Sequence, residues 1–201
     1  GIRDLVRSRG LGDVYKRQIV DSVNYVIHLA AITDAAGSFG NSEEVEFNNY
    51  DCTENIANTC LKNNIKLITL SSTSVYGTQA EVVTEDCSLD ELNPQSPYAT
   101  TKLREENLIQ DLYKDGLQAV CFRFGTIYGH SIGMRFHTAV NKFCWQAAFG
   151  KPITVWSSAY DQKRPYLDLN DAIESFVHVI EKNLFNGEVY NVLTENLTVR
   201  N

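Results

Sequence analysis

Short apolar runs alternate along the chain with longer stretches whose apolar residues recur at helical spacing. The runs typical of buried strands cover residues 25–31, 66–71, 119–124 and 187–192. Helical periodicity covers residues 41–64, 96–116, 138–149 and 171–182. This order predicts an α/β fold, in which a parallel sheet is flanked by helices joined through right-handed crossovers. We expect the strand at 25–31 to be buried on both faces.

Residues 96–116 carry clear signals for the start and the end of a helix. Ser96 is a favoured N-cap residue, and Pro97 is favoured at the first helical position because the N–H it lacks would have no helical partner there. Gly116 can end the helix, because glycine tolerates the left-handed backbone that often follows a last helical turn.

Tyr98 and Lys102 stand four residues apart in this helix, so their side chains share one face. A free tyrosine has a pKa of about 10, and a positive charge a few ångströms away lowers that pKa by favouring the phenolate. Ser71 and Ser72 follow the apolar run that starts at residue 66, and strand carboxyl ends are where open α/β sheets hold ligands. A phenol, an ammonium and a hydroxyl brought together there predict a site that removes the proton of a substrate alcohol.

The first eighteen residues differ in character from the rest of the chain. Residues 1–4 and 8–18 resemble a translated sequencing-library adapter, with residues 5–7 at the position of the variable index bases. A natural basic leader is the alternative, although two aspartates and the lack of an amphipathic apolar stripe argue against it. Residues 1–18 are therefore left out of the fold prediction.

The remaining residues are strongly acidic. Residues 1–18 carry five basic and two acidic side chains, so thirteen basic and twenty-three acidic residues remain, a formal net charge of −10. Such a balance argues against nucleic acid or an anionic membrane as the partner. In the sequence, no apolar run approaches the ~20 residues of a membrane span. Five cysteines without a CxxC pair indicate reduced, mostly buried thiols in a cytoplasmic protein.

Seven short motifs follow one another, at residues 28–31, 49–53, 71–77, 96–102, 123–129, 164–172 and 187–192. Together they resemble the extended short-chain dehydrogenase/reductase family, and within it the NAD-dependent epimerase/dehydratases of the UDP-glucose 4-epimerase type. The resemblance extends from about residue 25 to residue 201. It implies a Rossmann-type parallel sheet with flanking helices, truncated at the N-terminus, and part of a small C-terminal substrate domain.

The resemblance assigns catalytic roles to three side chains. Tyr98 is implied to be the base that takes the proton of the substrate's 4-hydroxyl group, and Ser72 to hydrogen bond the reacting oxygen. Lys102 is implied to hold the ribose hydroxyls of the nicotinamide cofactor while keeping Tyr98 ionised. The implied function is an NAD-dependent nucleotide-sugar epimerase, which oxidises C4 to a keto sugar and then reduces it on its other face.

The resemblance also implies which residues contact the two small molecules. Cofactor contacts fall on Leu29, Ala30, Ala31, Ser71, Tyr98, Lys102, Phe124 and Gly125. Substrate contacts fall on Ser72, Thr126, Trp156 and Arg164. Arg164 is implied to bind the nucleotide diphosphate, and the alternative is an ordinary loop arginine. Trp156 is implied to lie beside the nucleotide base, and the alternative is a core tryptophan. The histidine and acidic spacings match no metal site.

Domain limits follow from the same resemblance. Residues 19–130 are implied to form a partial NAD(P)-binding Rossmann domain, and residues 131–201 a partial substrate-binding region interleaved with late Rossmann elements. The family's glycine-rich phosphate loop and the acidic residue that separates NAD from NADP are not found in this sequence. We therefore expect an internal fragment of a longer enzyme, inactive by itself, and NADP stays an alternative to NAD.

The intact protein is implied to be a homodimer. The helices at 41–64 and 96–116 correspond to those that form the family's dimer bundle. The other implied partner is the nucleotide-sugar substrate, and we expect neither nucleic acid nor a membrane as a partner.

Alternatives to the epimerase stay open. A ketoreductase or a dehydratase of the same family would use the same fold, although Thr73 and Ser74 stand where 4,6-dehydratases carry an Asp–Glu pair. A non-catalytic relative that binds a dinucleotide is a further alternative, but such proteins usually lose the tyrosine or the lysine that this chain keeps. Thr126 replaces an asparagine that contacts substrate phosphates, which leaves the sugar nucleotide undetermined.

Other conspicuous side chains are expected to be structural. His28 lies inside an apolar strand and the family gives it no chemistry, so we expect a core histidine whose hydrogen bonds are satisfied. The acidic residues at 43–46 and 81–91 are expected to form solvated surfaces.

Overall fold

The computed structural model describes residues 23–35, 37–78, 83–155, 157 and 160–200. In chain order its helices are α1 (Ser42–Lys62), α2 (Pro97–Lys114), α3 (Ala139–Ala148) and α4 (Leu169–Lys182). Its strands are β1 (Tyr25–His28), β2 (Lys66–Ser72), β3 (Ala119–Phe124), β4 (Thr126–Tyr128), β5 (Arg164–Asp168), β6 (Val189–Val192) and β7 (Glu195–Leu197). Short 3-10 turns lie at Gly37–Phe39, Thr73–Tyr76 and Leu89–Glu91. The predicted adapter segment 1–18 and Trp156 lie outside the described residues.

Four strands form one sheet in the order β1-β2-β3-β6. β1 and β2 are parallel, with Tyr25 opposite Lys66 and His28 opposite Thr69, and α1 connects them along the chain. A helix between two parallel neighbours is the unit that the alternating pattern predicts. The predicted α/β class, a parallel sheet with flanking helices, is therefore confirmed.

A second sheet has the order β4-β5-β7, and the sequence pattern did not predict it. β4 pairs with β5 in parallel, and β5 pairs with β7 in antiparallel register. β4 and β7 have three residues each, so neither is long enough to show a period of two. Gly125 leads into β4, and an added Cβ there would lie 3.0 Å from the Pro165 carbonyl oxygen, so a glycine suits this close approach to β5.

Two compact units are built from discontinuous segments of the chain. One contains residues 23–69, 96–121 and 185–188, and the other contains the described residues of 70–95, 122–184 and 189–200. The first unit has a core of Ala57, Cys60, Ile65, Leu67, Ile109, Leu117 and Ala119. The second unit packs the rings of Phe122, Phe124 and Phe176 against one another. The domain limit expected at residue 130 stays a prediction.

β1 departs from the burial expected for it. Tyr25 and Ile27 are 37% and 40% exposed, whereas Val26 is half-buried and His28 is buried. The exposed and the more buried side chains alternate along β1, so only one face of this strand is packed. The expectation of a strand buried on both faces is therefore wrong.

The five cysteines, all within the described residues, form no disulfide with one another, but they are not mostly buried. Cys60 and Cys121 are buried, Cys52 and Cys87 are half-buried, and Cys144 is exposed. Burial raises the pKa of the Cys60 thiol to about 11, so this thiol stays protonated and is a poor nucleophile at neutral pH.

Candidate active site

The start of α2 fixes the backbone of Tyr98. Ser96 is the N-cap, as predicted, and its Oγ accepts the Ala99 N–H at 3.2 Å. The Tyr98 N–H, which has no partner within the helix, donates to the Ser38 Oγ at 3.3 Å. Ser38 is 1% exposed and belongs to the turn at Gly37–Phe39. Sequence analysis missed Ser38, because no local pattern links two residues sixty positions apart.

Tyr98 and Lys102 are brought together on the buried side of α2. Tyr98 is 9% exposed and Lys102 is 4% exposed, and the Lys102 Nζ lies 6.0 Å from the centroid of the Tyr98 ring. A nearby positive charge favours the phenolate over the phenol, and screening by water is weak at buried sites. One helix therefore supplies both members of the predicted proton-transfer pair.

Lys102 has a buried counter-ion on the next turn of the same helix. Its Nζ donates to the Glu105 Oε2 at 2.8 Å, and the two side chains are each 5% exposed. Burial raises the pKa of the Glu105 carboxyl, whereas Lys102 and a hydrogen bond with Thr53 act to lower it. Sequence analysis missed Glu105, because a glutamate in a helical pattern usually marks a solvated face. The signal that could have found it is its i, i+3 spacing from Lys102.

His28 extends this buried polar group from α2 to the end of β1. It is 6% exposed, and its Nε2 lies 3.1 Å from the Thr53 Oγ1 on α1. Burial, and to a smaller degree the Lys102 ammonium, lowers the pKa of His28 to about 4. The imidazole is therefore neutral at neutral pH. The expectation of a core histidine with a hydrogen-bond partner is confirmed.

The loop after β1 holds three of the residues predicted to contact a cofactor. Leu29 is 58% exposed although it is apolar, Ala30 is exposed, and Ala31 is half-buried. Asn49 ties this loop to α1, because its Oδ1 accepts the Ile32 N–H at 2.7 Å and its Nδ2 donates to the Ile32 carbonyl at 2.9 Å. Exposed apolar surface on a backbone fixed in this way suits a largely preformed ligand site.

Ser71 and Ser72 lie at the carboxyl end of β2, in the second unit. Ser72 caps the turn that follows, where its Oγ accepts the Ser74 N–H at 3.2 Å. The Ser71 hydroxyl is buried, and no described residue provides it with a hydrogen-bond partner. Tyr98 and Lys102 belong to the first unit, so the meeting of Ser72 with Tyr98 stays a prediction.

A chain of buried and half-buried hydrogen bonds holds the turn at Thr73–Tyr76. Arg123 is 4% exposed, and its Nη1 donates to the Tyr76 hydroxyl at 2.8 Å. That hydroxyl donates to the Asn191 Oδ1 at 2.9 Å, and the Asn191 N–H donates to the Glu85 Oε1 at 2.7 Å. Burial raises the pKa of Tyr76 against the lowering effect of Arg123. Within the acidic segment expected to form a solvated surface, Glu85 is half-buried and its carboxylate accepts this backbone hydrogen bond.

The remaining predicted residues are spread over the second unit. Phe124 is 6% exposed and packs on Phe122, and its carbonyl accepts the Thr73 hydroxyl at 3.3 Å, so its contact with a cofactor stays a prediction. Thr126 is exposed on β4. Arg164 is exposed at the start of β5, and its Nη2 donates to the Gln162 Oε1 at 2.8 Å. A guanidinium has several N–H donors, so this contact leaves capacity for an anion.

Neither a metal site nor a membrane-spanning helix is found in the part of the chain that the structure describes. No group of three or more histidine, cysteine or acidic side chains in this part could hold a metal ion. No helix within it is both long and apolar enough to cross a membrane.

The parallel strands and the buried tyrosine–lysine pair on α2 are the features expected of the short-chain dehydrogenase/reductase class. Within that class, the sequence profile of the NAD dependent epimerase/dehydratase family matches residues 13–192. The chain belongs to this family.

Relatives of this chain carry several nucleotide-sugar activities. An uncharacterized UDP-glucose epimerase of Bacillus subtilis (strain 168) is 31% identical over 180 residues, which cover 87% of this chain and 54% of that protein. A trifunctional UDP-glucose 4,6-dehydratase/UDP-4-keto-6-deoxy-D-glucose 3,5-epimerase/UDP-4-keto-L-rhamnose-reductase of Arabidopsis thaliana is 31% identical, over 88% of this chain and 26% of that protein.

Among solved structures, the UDP-glucuronic acid 4-epimerase from Bacillus cereus in complex with UDP-glucuronic acid and NAD is similar in fold. The TM-score is 0.82 at 28% identity, over 97% of this chain and 60% of that one. The chain therefore spans about half the length of the curated epimerase relative and three fifths of the solved epimerase.

Proposed function

We propose that the protein is an NAD-dependent nucleotide-sugar epimerase and that this chain carries its proton-transfer residues. The observation that carries the proposal is the buried pair on α2, in which the Lys102 Nζ lies 6.0 Å from the Tyr98 ring centroid. Similarity to a UDP-glucuronic acid 4-epimerase over 97% of this chain supports the same chemistry. The substrate class is a nucleoside diphosphate linked to a sugar with a free C4 hydroxyl.

In this proposal Tyr98 acts first as a base and then as an acid. Its phenolate takes the proton of the C4 hydroxyl as the C4–H bond breaks, which leaves a 4-keto sugar. After the keto sugar has turned and C4 is reduced on its other face, the Tyr98 hydroxyl returns the proton. Lys102 makes the phenolate accessible at neutral pH, because its charge stabilises the ionised form.

Ser72 is proposed to hold the reacting oxygen. Its Oγ already accepts the Ser74 N–H at 3.2 Å, so the hydroxyl is better placed to donate its proton than to accept another. A donor directed at the C4 oxygen stabilises the negative charge that develops there as the proton leaves.

The residues present fit a nicotinamide dinucleotide. Leu29, Ala30 and Ala31 present apolar surface at the end of β1, on a loop that Asn49 holds in place. Lys102 supplies a cationic donor for ribose hydroxyls. The chemistry that NAD supplies when bound is reversible hydride transfer at C4. NADP stays an alternative, because no described residue separates the two cofactors.

Substrate recognition is assigned to residues of the second unit. Arg164 is proposed to bind the diphosphate, since its guanidinium is exposed and matches phosphate geometry. Thr126, exposed on β4, is proposed to contact the same phosphates. Trp156 is proposed to lie beside the nucleotide base.

The protein is further proposed to work in the cytoplasm as a homodimer. The five cysteines, all in the described part of the chain, form no disulfide with one another, which suits a reducing compartment. α1 and α2 pack against each other, and Phe47 on α1 is 59% exposed. An exposed aromatic side chain on a helix pair offers an apolar contact for a second copy of the chain.

The test is a Tyr98→Phe variant of the protein expressed from its complete open reading frame. With UDP-glucose or UDP-glucuronic acid, the parent should invert C4 without net change in NADH, as followed by proton NMR and absorbance. Tyr98→Phe should lose at least about a hundredfold in rate, because the group that moves the proton is gone.

Tyr113→Phe is the matched control for this test. Tyr113 lies at the other end of α2 and is 41% exposed, so its variant should keep the parent rate. Net NADH consumption by the parent would instead indicate a ketoreductase. A Tyr98→Phe variant with a near-parental rate would show that the site is wrongly assigned.

A further inference from the structure

The ion pair of Lys102 and Glu105 is buried, unlike a second pair on the same helix. Lys114 and Asp111 have the same i, i+3 spacing and the same 2.8 Å distance, but their side chains are 74% and 72% exposed. The Lys102 and Glu105 side chains are each 5% exposed. A buried pair must first lose its hydration, which the mutual attraction often only offsets. Stability alone therefore does not explain the presence of Glu105.

The surroundings of the pair contain titratable groups from two elements and a hydroxyl from a third. They are Tyr98 and Glu106 on α2, His28 on β1 and Thr53 on α1. His28 is neutral at neutral pH, and Glu106 acts on Glu105 as a like charge. Glu105 is the carboxylate that accepts the hydrogen bond from the Lys102 ammonium at 2.8 Å.

We propose that Glu105 is a positioning residue, whose carboxylate holds the Lys102 side chain beside Tyr98 so that the tyrosine can ionise. This rests on the proposed function, in which the Tyr98 phenolate is the base. A buried ammonium without a partner tends to lose its proton or to turn toward water, because its desolvation is no longer offset. Either change removes positive charge from the neighbourhood of the phenol.

Removal of the Glu105 charge affects Tyr98 in two opposite directions. Loss of a nearby negative charge, taken alone, favours the phenolate and lowers the pH at which Tyr98 ionises. Loss of the charge or the position of Lys102 disfavours the phenolate and raises that pH. The direction of the change therefore separates a positioning role from a direct charge effect. We expect Glu105→Gln to raise the ionisation midpoint of Tyr98 by about 1 unit or more.

The experiment follows the tyrosine Cζ resonances of the protein expressed from its complete open reading frame, by carbon-13 NMR, as the pH is raised. Tyr98→Phe identifies the Tyr98 resonance by its loss. Lys102→Met should raise the midpoint at least as far as Glu105→Gln does. The double variant should go no higher than Lys102→Met alone, because Glu105 acts through the lysine.

Asp111→Asn is the matched control, since it breaks the exposed pair on the same helix and should leave the Tyr98 midpoint unchanged. A midpoint that stays or falls in Glu105→Gln, while it rises in Lys102→Met, would overturn the positioning role and leave the site intact. If Lys102→Met does not raise it either, the Tyr98–Lys102 site fails, and the proposed function fails with it.

Glu105→Asp covers the case in which Glu105→Gln does not fold. The aspartate side chain is one methylene group shorter, so the negative charge is kept but lies farther from the Lys102 ammonium. The lysine is therefore held less firmly. The positioning role predicts a smaller rise in the Tyr98 midpoint for this variant. No rise at all would count against it.

Discussion

His28 illustrates at the residue scale how burial sets the state of a titratable group. Its pKa is lowered from 6.5 to about 4 in the folded protein, first by burial and then by Lys102. The unfolded chain binds a proton below pH 6.5 that the folded chain takes up only near pH 4. The contribution of His28 to stability is therefore fully present above pH 6.5 and is lost as the pH falls from 6.5 to about 4.

We predict that His28 accounts for a loss of about 2 kcal/mol in the free energy of unfolding between pH 7 and pH 5. The check is urea unfolding of the parent and of His28→Leu at both pH values. Carboxylates also titrate here, so the quantity compared is the loss in each protein, which should be about 2 kcal/mol smaller in the variant. His178→Leu, at an exposed position of α4, should lose as much as the parent. Equal losses in the parent and His28→Leu would contradict the prediction.

Some residues of the candidate site can be predicted from the sequence, and others cannot. Tyr98 and Lys102 could be found because their spacing within one helix places them on one face. Ser38 and Thr53 could not, since each acts on a partner brought close only by the fold. Glu105 could not be found for another reason: its charge predicts a solvated helix face, whereas its side chain is 5% exposed in the fold.

At the scale of elements, local signals placed helices and long strands well. The N-cap at Ser96 and the end signal at Gly116 bracket α2, which runs from Pro97 to Lys114. The apolar run at 119–124 is β3 without change. The sequence did not predict β4, β5 and β7, because strands of three to five residues are stabilised by pairing between distant segments rather than by their own pattern.

Gly77 gives a prediction about the turn that follows β2. Its φ of 63° and ψ of −145° lie in a region that other residues avoid, and an added Cβ would lie 2.1 Å from the Asn93 carbonyl oxygen. We expect Gly77→Ala to lower the free energy of unfolding by about 2–4 kcal/mol, because backbone strain and the clash act together. Urea unfolding of the parent and the variant measures the change.

Gly133 provides the control for that measurement. An added Cβ there meets nothing within 4 Å, so Gly133→Ala should change the free energy of unfolding by less than about 0.5 kcal/mol. Comparable stability of Gly77→Ala and Gly133→Ala would mean that the turn does not have the backbone described here.

At the scale of the whole molecule, the proposed homodimer is open to a direct test. Phe47 is 59% exposed on α1, within the helix pair assigned to the contact between copies. Phe47→Glu should convert the dimer to a monomer in light scattering after gel filtration, because a charge would be buried in an apolar contact. Phe149→Glu, at a 68% exposed position after α3, should leave the mass unchanged. A Phe47→Glu protein that remains dimeric would exclude this interface.

The loop that follows β1 has a consequence for engineering. Asn49 fastens it at Ile32, and Ser38 within it accepts the backbone N–H of Tyr98. A loop graft from a relative, made to alter the proposed cofactor contacts at residues 29–31, would therefore also exchange the acceptor that holds the backbone of the proposed base. We expect a graft that retains a serine at position 38 to preserve turnover, and a graft that carries alanine there to lose it.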